Sequence, residues 1–331
     1  MDDSQKSPMK ARTFWIFLAV LAPVIPLLGV LAGTSGFGLP DWHADGGRAL
    51  LMLRLERVCA GLVVGAALAA SGVVLQALLR NPLAEPYVLG VSGGSALGAA
   101  VAILFGSAAI WTVPLAAFAA GAGALALVVR LAQDEQGVPS IYGLLLSGVI
   151  VSSVCSGLLM FLLSITPAEG VHNVLWWMLG NLQMPSRPLL LVCSALVLAG
   201  LVGAAGLAPE LNALTLGGEA AHHLGVRTKL AVATGLVLAT VVTASAVSIA
   251  GLIGFVGLVV PHVVRSLVGP DHRRLIPAAA LAGGLFLAAC DILARTVLAP
   301  REVPVGVITA LVGGPFFLWI LRQRRRQGWM E

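Results

Sequence analysis

The sequence predicts an all-helical protein that crosses a bilayer about ten times with both termini in the cytoplasm, and three observations predict it. Hydrophobic residues make up 58% of the 331 and charged residues 11%, with a mean hydropathy of +0.97. A globule of that composition would expose far more apolar surface than a water-soluble protein carries. A spanning helix needs about 20 mostly apolar residues, and reading the chain at that length gives ten candidates: 14–33, 58–79, 89–106, 112–131, 142–165, 189–207, 229–250, 252–268, 274–298 and 304–321. The third observation is charge. Of the twenty Lys and Arg, fourteen fall on the cytoplasmic side when these spans are numbered from inside, and six (Arg48, Arg54, Arg57, Arg187, Arg295 and Arg301) fall outside. An odd number of spans would undo that segregation, so the even count has support independent of hydropathy. The net charge of +5 is therefore topological and gives no reason to invoke nucleic acid; the run Arg322 to Arg326 reads as a stop beside anionic lipid.

Taken in order, the first apolar run follows a basic tail and is expected to be an uncleaved span. It is longer than the apolar part of a signal peptide, and no lipoprotein-type cysteine follows. An external segment, 34–57, then carries Arg48, Arg54 and Arg57. The second span ends at Asn81-Pro82-Leu83-Ala84-Glu85-Pro86, whose two prolines cannot lie inside a continuing helix, so the chain turns there. The glycines that follow, in Gly90-Val91-Ser92-Gly93-Gly94-Ser95, suit closely packed membrane helices. In the fifth span Ser147, Ser152, Ser153, Ser156 and Met160 sit among small residues, the make-up of a pathway wall, although serines also pack helices without transporting anything.

Segment 166–188 holds an apolar island, Val171 to Gly180, too short to cross and expected to be a re-entrant or interfacial helix near the mouth of a pathway. On the cytoplasmic side 207–228 contains Gly217-Gly218-Glu219-Ala220-Ala221-His222-His223-Leu224-Gly225, expected to form two short helical pieces and a compact knob. The eighth span should be short or broken, because Gly251, Gly254 and Gly257 precede Pro261. The ninth carries Asp291, an acidic residue well inside an apolar span, one helical turn before Arg295. The four cysteines, Cys59, Cys155, Cys193 and Cys290, are scattered singly and outline neither a disulfide framework nor a metal site.

Several of these motifs, in order, carry a resemblance. Arg54-Leu55-Glu56-Arg57, Gly65 to Ala69 with Ser71-Gly72 and Gln76, Asn81 to Pro86 and Leu89 to Ser92 resemble the permeases of binding-protein-dependent ABC importers for iron chelates and cobalamin. So do Gly254 to His262, Asp271-His272-Arg273, Ala289 with Asp291 and Arg295, and Pro304 to Val307 through Gly313-Gly314-Pro315. The resemblance runs from about residue 50 to 322. It implies one permease domain over 1–331 in the bacterial inner membrane, pairing with a second copy so that substrate passes along the two-fold axis. Two ATPase subunits would dock inside and a periplasmic binding protein outside. The chain has no Gly-x-x-x-x-Gly-Lys-Ser/Thr loop, so ATP and magnesium would belong to the partner, and this chain is expected to bind no cofactor and catalyse no reaction.

The resemblance also implies residue roles. The 207–228 knob would couple to the ATPase, with Gly217, Glu219, Ala220, Ala221, Leu224 and Gly225 seated in its cleft. Arg54, Arg57 and Arg295 would dock acidic patches of the binding protein through exposed guanidinium forks, although Arg295 could instead simply pair with Asp291. Asn81 and Leu83 would meet their two-fold mates to close the cytoplasmic exit, and Ser147, Ser152, Ser156 and Met160 would line the path. Ser140-Ile141-Tyr142 occupies a second gate in the family but is bulkier than the small hydroxyl pair expected there.

Competing chemistries find less support in the residues. Gly90-Val91-Ser92-Gly93 has the look of a protease serine, but no histidine falls in a central span to serve as its base. His172, Met160 and Met178 could ligate a haem iron in transit, but tight coordination would slow release. An ion-coupled carrier would place ionisable residues in mid-membrane, and Asp291 is the one acidic residue there. The substrate expected is a ferric siderophore or haem, with cobalamin the alternative.

Overall fold

The computed structural model describes residues 6–325 apart from 35, 42, 44, 45, 107, 108, 134–138, 184 and 185. Arg326, the last of the terminal basic run, lies outside the described residues. Thirteen α-helices follow one another among them: α1 Lys6–Leu31, α2 Gly47–Leu78, α3 Val91–Phe105, α4 Thr112–Ala132, α5 Ile141–Ser164, α6 Ala168–Met178, α7 Arg187–Gly206, α8 Ala208–Leu214, α9 Gly218–His223, α10 Thr228–Ala250, α11 Val256–Val268, α12 His272–Thr296 and α13 Val305–Arg325. Seven of these (α1, α2, α4, α5, α7, α10 and α12) are long and apolar enough to cross a membrane, and α3, α11 and the stretch Val305–Trp319 of α13 are shorter apolar helices. Those ten overlap the ten predicted spans in order, with seven of them of spanning length. The apolar island becomes α6, and the cytoplasmic segment becomes α8 and α9.

Two features depart from expectation on the external side. Residues 34–57 are not mainly loop: α2 begins at Gly47 and runs 32 residues. The apolar run Leu50-Leu51-Met52-Leu53 continues the helix outward with Leu50, Met52 and Leu53 exposed, and Arg54 and Arg57 find partners on neighbouring elements, so their charges do not end the helix. At about 1.5 Å per residue α2 reaches about 48 Å, well beyond a hydrocarbon core of about 30 Å. In addition, Ala32–Gly33 and Gly36–Phe37 form a two-residue antiparallel hairpin, the one named sheet among the described residues.

The bundle is assembled around α2, 78% of whose most apolar stretch is buried, against 11% for the peripheral α1. Its apolar side chains Val64 and Leu68 are 1% exposed. α12 crosses it where Gly65 faces Gly283 and Gly284, so closely that a Cβ on Gly65 would collide with the Gly283 carbonyl. α11 approaches in the same way, Gly72 against the Gly257 backbone. Lipid provides no hydrophobic drive between helices, so packing depends on this close van der Waals approach of small residues. The outward faces are apolar instead: Ile16, Phe17, Val20 and Leu27 on α1 and Leu191, Leu198 and Val202 on α7 are exposed, as suits lipid.

The expected break in the eighth span is real and lies between α10 and α11. Gly251 has φ +68° and Phe255 φ +69°, the latter a left-handed backbone that a phenylalanine rarely adopts. Five residues, 251–255, are non-helical, and Ile253 among them is 1% exposed. Irregular backbone at membrane depth persists only where protein or a water-filled cavity satisfies its polar groups, which makes the partners of this break the starting point for the site.

Candidate translocation pathway and its control points

Three irregular segments distant in sequence supply those partners. The turn after α2 continues as a single 3-10 turn, Pro86–Leu89. From it the Glu85 Oε1 accepts the Phe255 N–H at 2.7 Å and the Tyr87 hydroxyl oxygen accepts the Ile253 N–H at 3.0 Å. From the loop after α6, the Asn181 N–H donates to the Ala250 carbonyl at 2.7 Å. The start of α13 closes in as well, with Gly306 against the carbonyls of Leu179 and Leu252. Gln76, buried near the end of α2, ties the same turn to α11: its Oε1 accepts from Arg265 Nη2 at 2.9 Å. The Asn81 to Pro86 turn is thus bonded to the broken α10–α11 corner rather than hanging free.

Within that turn Asn81 and Leu83 play different parts. The Asn81 Oδ1 accepts the Leu83 N–H at 2.9 Å and its carbonyl accepts the Ala84 N–H at 3.0 Å, so Asn81 shapes the turn. Leu83 projects from it and is 40% exposed. The Ser92 hydroxyl donates to the Tyr87 carbonyl at 3.4 Å, a structural use of the serine in the Gly-x-Ser-Gly string.

The four fifth-span residues do not share one face. Ser147 is buried, Ser152 is half-buried and packs against Gly93 of α3, and Ser156 and Met160 are exposed. At 100° per residue Ser156 and Met160 share an exposed stripe with Tyr142, Leu146, Val149 and Ser153. Tyr142, the bulky residue of the second gate position, is 87% exposed at the start of that stripe.

On the cytoplasmic side α8 is fastened to the start of α12. The Asn212 amide donates to Asp271 Oδ1 at 2.7 Å, while Asn212 Oδ1 accepts the His272 N–H at 2.9 Å and lies 2.6 Å from His272 Nδ1. The Asn212 and Arg273 donors hold the Asp271 carboxyl below the usual carboxylate range. α9 is bracketed by Gly217 and Gly225, both at positive φ. Ala221 seats it on the core with no exposed surface, Ala220 is half-buried, and Glu219 and Leu224 point outward.

At the external end the expectation of exposed arginine forks is corrected. Arg54 is 6% and Arg295 2% exposed. Arg54 Nη1 donates to the carbonyls of Val30, Leu31 and Gly38 at 2.8–3.1 Å, satisfying the orphan end of α1. Arg295 Nη1 donates to the carbonyls of Gly29 and Ala32, and Arg295 Nη2 lies 3.0 Å from Asp291 Oδ2. Arg57 bridges Asp291 at 2.9 Å and Glu302 at 2.8 Å, and Glu302 in turn accepts from Gln183. Desolvation explains the arrangement: charges this far from water need paired partners. The three arginines nonetheless line one pocket of about 300 Å³ together with Glu302 and Gln183.

Sequence reasoning passed over Gln76, Glu85, Tyr87, Arg265 and Asn212 as working residues. Gln76 and Glu85 stood in motifs that carry the resemblance but without a bonding role, and the others were marked only by the rarity of polar side chains beside apolar spans; the partners lie 59 to 189 positions away and leave no local pattern.

Seven spanning and three shorter apolar helices around a Gly-packed centre, with a hydrogen-bonded break inside the bundle, define a multi-pass membrane protein. The comparisons with known proteins specify which one: residues 13–323 match the FecCD transport family, and the chain belongs to it. It is a permease of the ABC importer class. It is 37% identical over 319 residues to the hemin transport system permease protein HmuU of Yersinia pestis, covering 94% of this chain and 96% of that one. It is 44% identical over 285 residues to the cobalamin import system permease protein BtuC of Halobacterium salinarum, covering 82% and 73%. Among solved structures it superposes on an inward-facing metal-chelate type ABC transporter with a TM-score of 0.84 and 32% identity, covering 93% and 98%.

Proposed function

We propose that this chain is the membrane subunit of an ATP-driven importer that carries a metal chelate, haem or a ferric siderophore, from the periplasm to the cytosol, with cobalamin as the second reading. The observation that carries it is the bonding of the Asn81 to Pro86 turn to the broken α10–α11 corner, within a chain 94% covered by a haem permease. Two copies meet about a two-fold axis, with Leu83 at the cytoplasmic exit and the Ser156 and Met160 stripe of α5 along the path. Two ATPase subunits seat on α8 and α9, through Gly217, Glu219, Ala220, Ala221, Leu224 and Gly225, and supply the ATP site. The binding protein docks outside. Because Arg54 and Arg295 are buried and Arg57 is half-buried in ion pairs, their docking role requires an acidic side chain of that protein to enter the pocket they line rather than meet an exposed patch.

The test is uptake by proteoliposomes containing the permease, its ATPase and the binding protein, with haem, a ferric siderophore and cyanocobalamin supplied in parallel. ATP-dependent, vanadate-sensitive uptake of an iron complex in preference to cobalamin is the expected result. Uptake driven by an ion gradient with no ATPase present would replace the proposal with a secondary carrier.

A further inference from the structure

A cleft of about 870 Å³ opens at the outer ends of α2, α3, α4, α6, α7 and α10, within a single copy of the chain. It shares Asn181, Ala250 and Gly251 with the broken corner and Gln183 with the arginine pocket, and its other walls have no part in the pathway described above. Its volume falls in the range of about 300–1,000 Å³ typical of small-molecule sites. Its walls are of two kinds. The sides come from apolar residues of α3, α4 and α7, such as Ile103, Val113 and Leu189, and from Trp176 and Trp177 on α6, the latter also packed against the Ala96, Ala100, Leu159 and Val174 cluster. The polar groups Glu56, Asn173, Asn181, Gln183 and Arg187 join them. Arg187 bonds Glu56 through Nε, but its side chain stays 61% exposed, leaving further N–H groups for an anion. Trp176 is held in a stacked arrangement by His172, ring centroids 6.0 Å apart and 24° between planes, so its ring is set before any ligand arrives.

The geometry points to this cleft as a binding site for a flat, apolar, carboxylate-bearing macrocycle of the porphyrin class. Two indoles and aliphatic walls suit an aromatic face, and the amides with Arg187 suit carboxylates. A corrinoid carries bulky axial groups and amides in place of free acids, and fits neither feature. The site lies beside the Asn181 bond to the Ala250 carbonyl and is floored by Gly251, so an occupant would touch the corner where the helices break. This deepens the chelate reading and rests on it for any role in uptake.

The permease, in complex with its ATPase and embedded in lipid nanodiscs, is titrated by absorbance with haemin, metal-free protoporphyrin IX and its dimethyl ester, with empty discs subtracted. Haemin and the free porphyrin should bind within threefold of each other, and the ester at least tenfold more weakly. Trp176→Ala with Trp177→Ala should weaken haemin binding at least tenfold, while Trp176→Phe with Trp177→Phe stays within threefold of the native chain. No binding above empty discs, equal binding of acid and ester, or equal binding by the alanine variant overturns the site. The acid and ester comparison uses the native chain and stands even if the alanine variant fails to fold. Proteoliposome uptake separates the two readings: haem uptake with tryptophan-independent binding sinks only this site, and tryptophan-dependent binding without ATP-driven uptake sinks only the transport assignment.

Discussion

Asp291 is met by two arginines, Arg57 at 2.9 Å and Arg295 at 3.0 Å, and it is 1% exposed. A carboxylate in that position is tolerated because its partners arrive from two helices, and each of them also has another acceptor: Glu302 for Arg57, the carbonyls of Gly29 and Ala32 for Arg295. Removing the central anion leaves two guanidinium groups short of charge in a dry setting, so Asp291→Ala should cost about 3–5 kcal/mol. The check is thermal unfolding of the detergent-solubilised protein; a variant as stable as the native chain would show that Glu302 and the carbonyls suffice. The pairing of Arg295 with Asp291 was legible in the sequence, because four residues on a helix is one turn. That of Arg57 with either acid was not, since 234 and 245 residues separate them.

Among the elements, the α8–α9 pair and the first turn of α12 form one mechanical unit through Asn212. The Asn212 side chain uses both its donor and its acceptor on Asp271 and His272, so a push on α8 reaches α12 through hydrogen bonds as well as packing. α12 then passes that displacement to α2 at the Gly65 and Gly283 crossing, where no side chain is present to absorb it. Asn212→Ala should therefore keep ATP hydrolysis by the assembled transporter while uptake per ATP falls at least tenfold. Both rates are measured in the same vesicles. Equal coupling in the variant would locate the transmission elsewhere. The knob itself was readable from its glycines and short apolar pieces, but the lock was not, because an asparagine at the end of a seven-residue helix has no distinguishing pattern.

For the whole molecule, the proposed dimer would divide the outward faces between lipid and a second copy, and α5 carries the mixed stripe of Ser153, Ser156, Met160 and Tyr142 that differs from the apolar outward faces of α1 and α7. With Leu83 at the cytoplasmic exit of that arrangement, Leu83→Cys in a chain whose four native cysteines are replaced should form a covalent dimer on mild oxidation, with a yield that changes when ATP is added. Absence of a dimer in every nucleotide state would remove Leu83 from the axis. The all-helical membrane class, the order of the apolar helices and the break after Ala250 were legible in the sequence alone, because hydropathy and glycine-proline punctuation act over one helix length at a time. Only the tertiary structure decided that Arg54 and Arg295 are internal braces, that Glu85 and Tyr87 satisfy the backbone of the broken corner, and that the cleft beside Trp176 exists at all. Each of these depends on which distant helices meet, and in a bundle packed by small residues that choice is made by shape across contacts far apart in the chain.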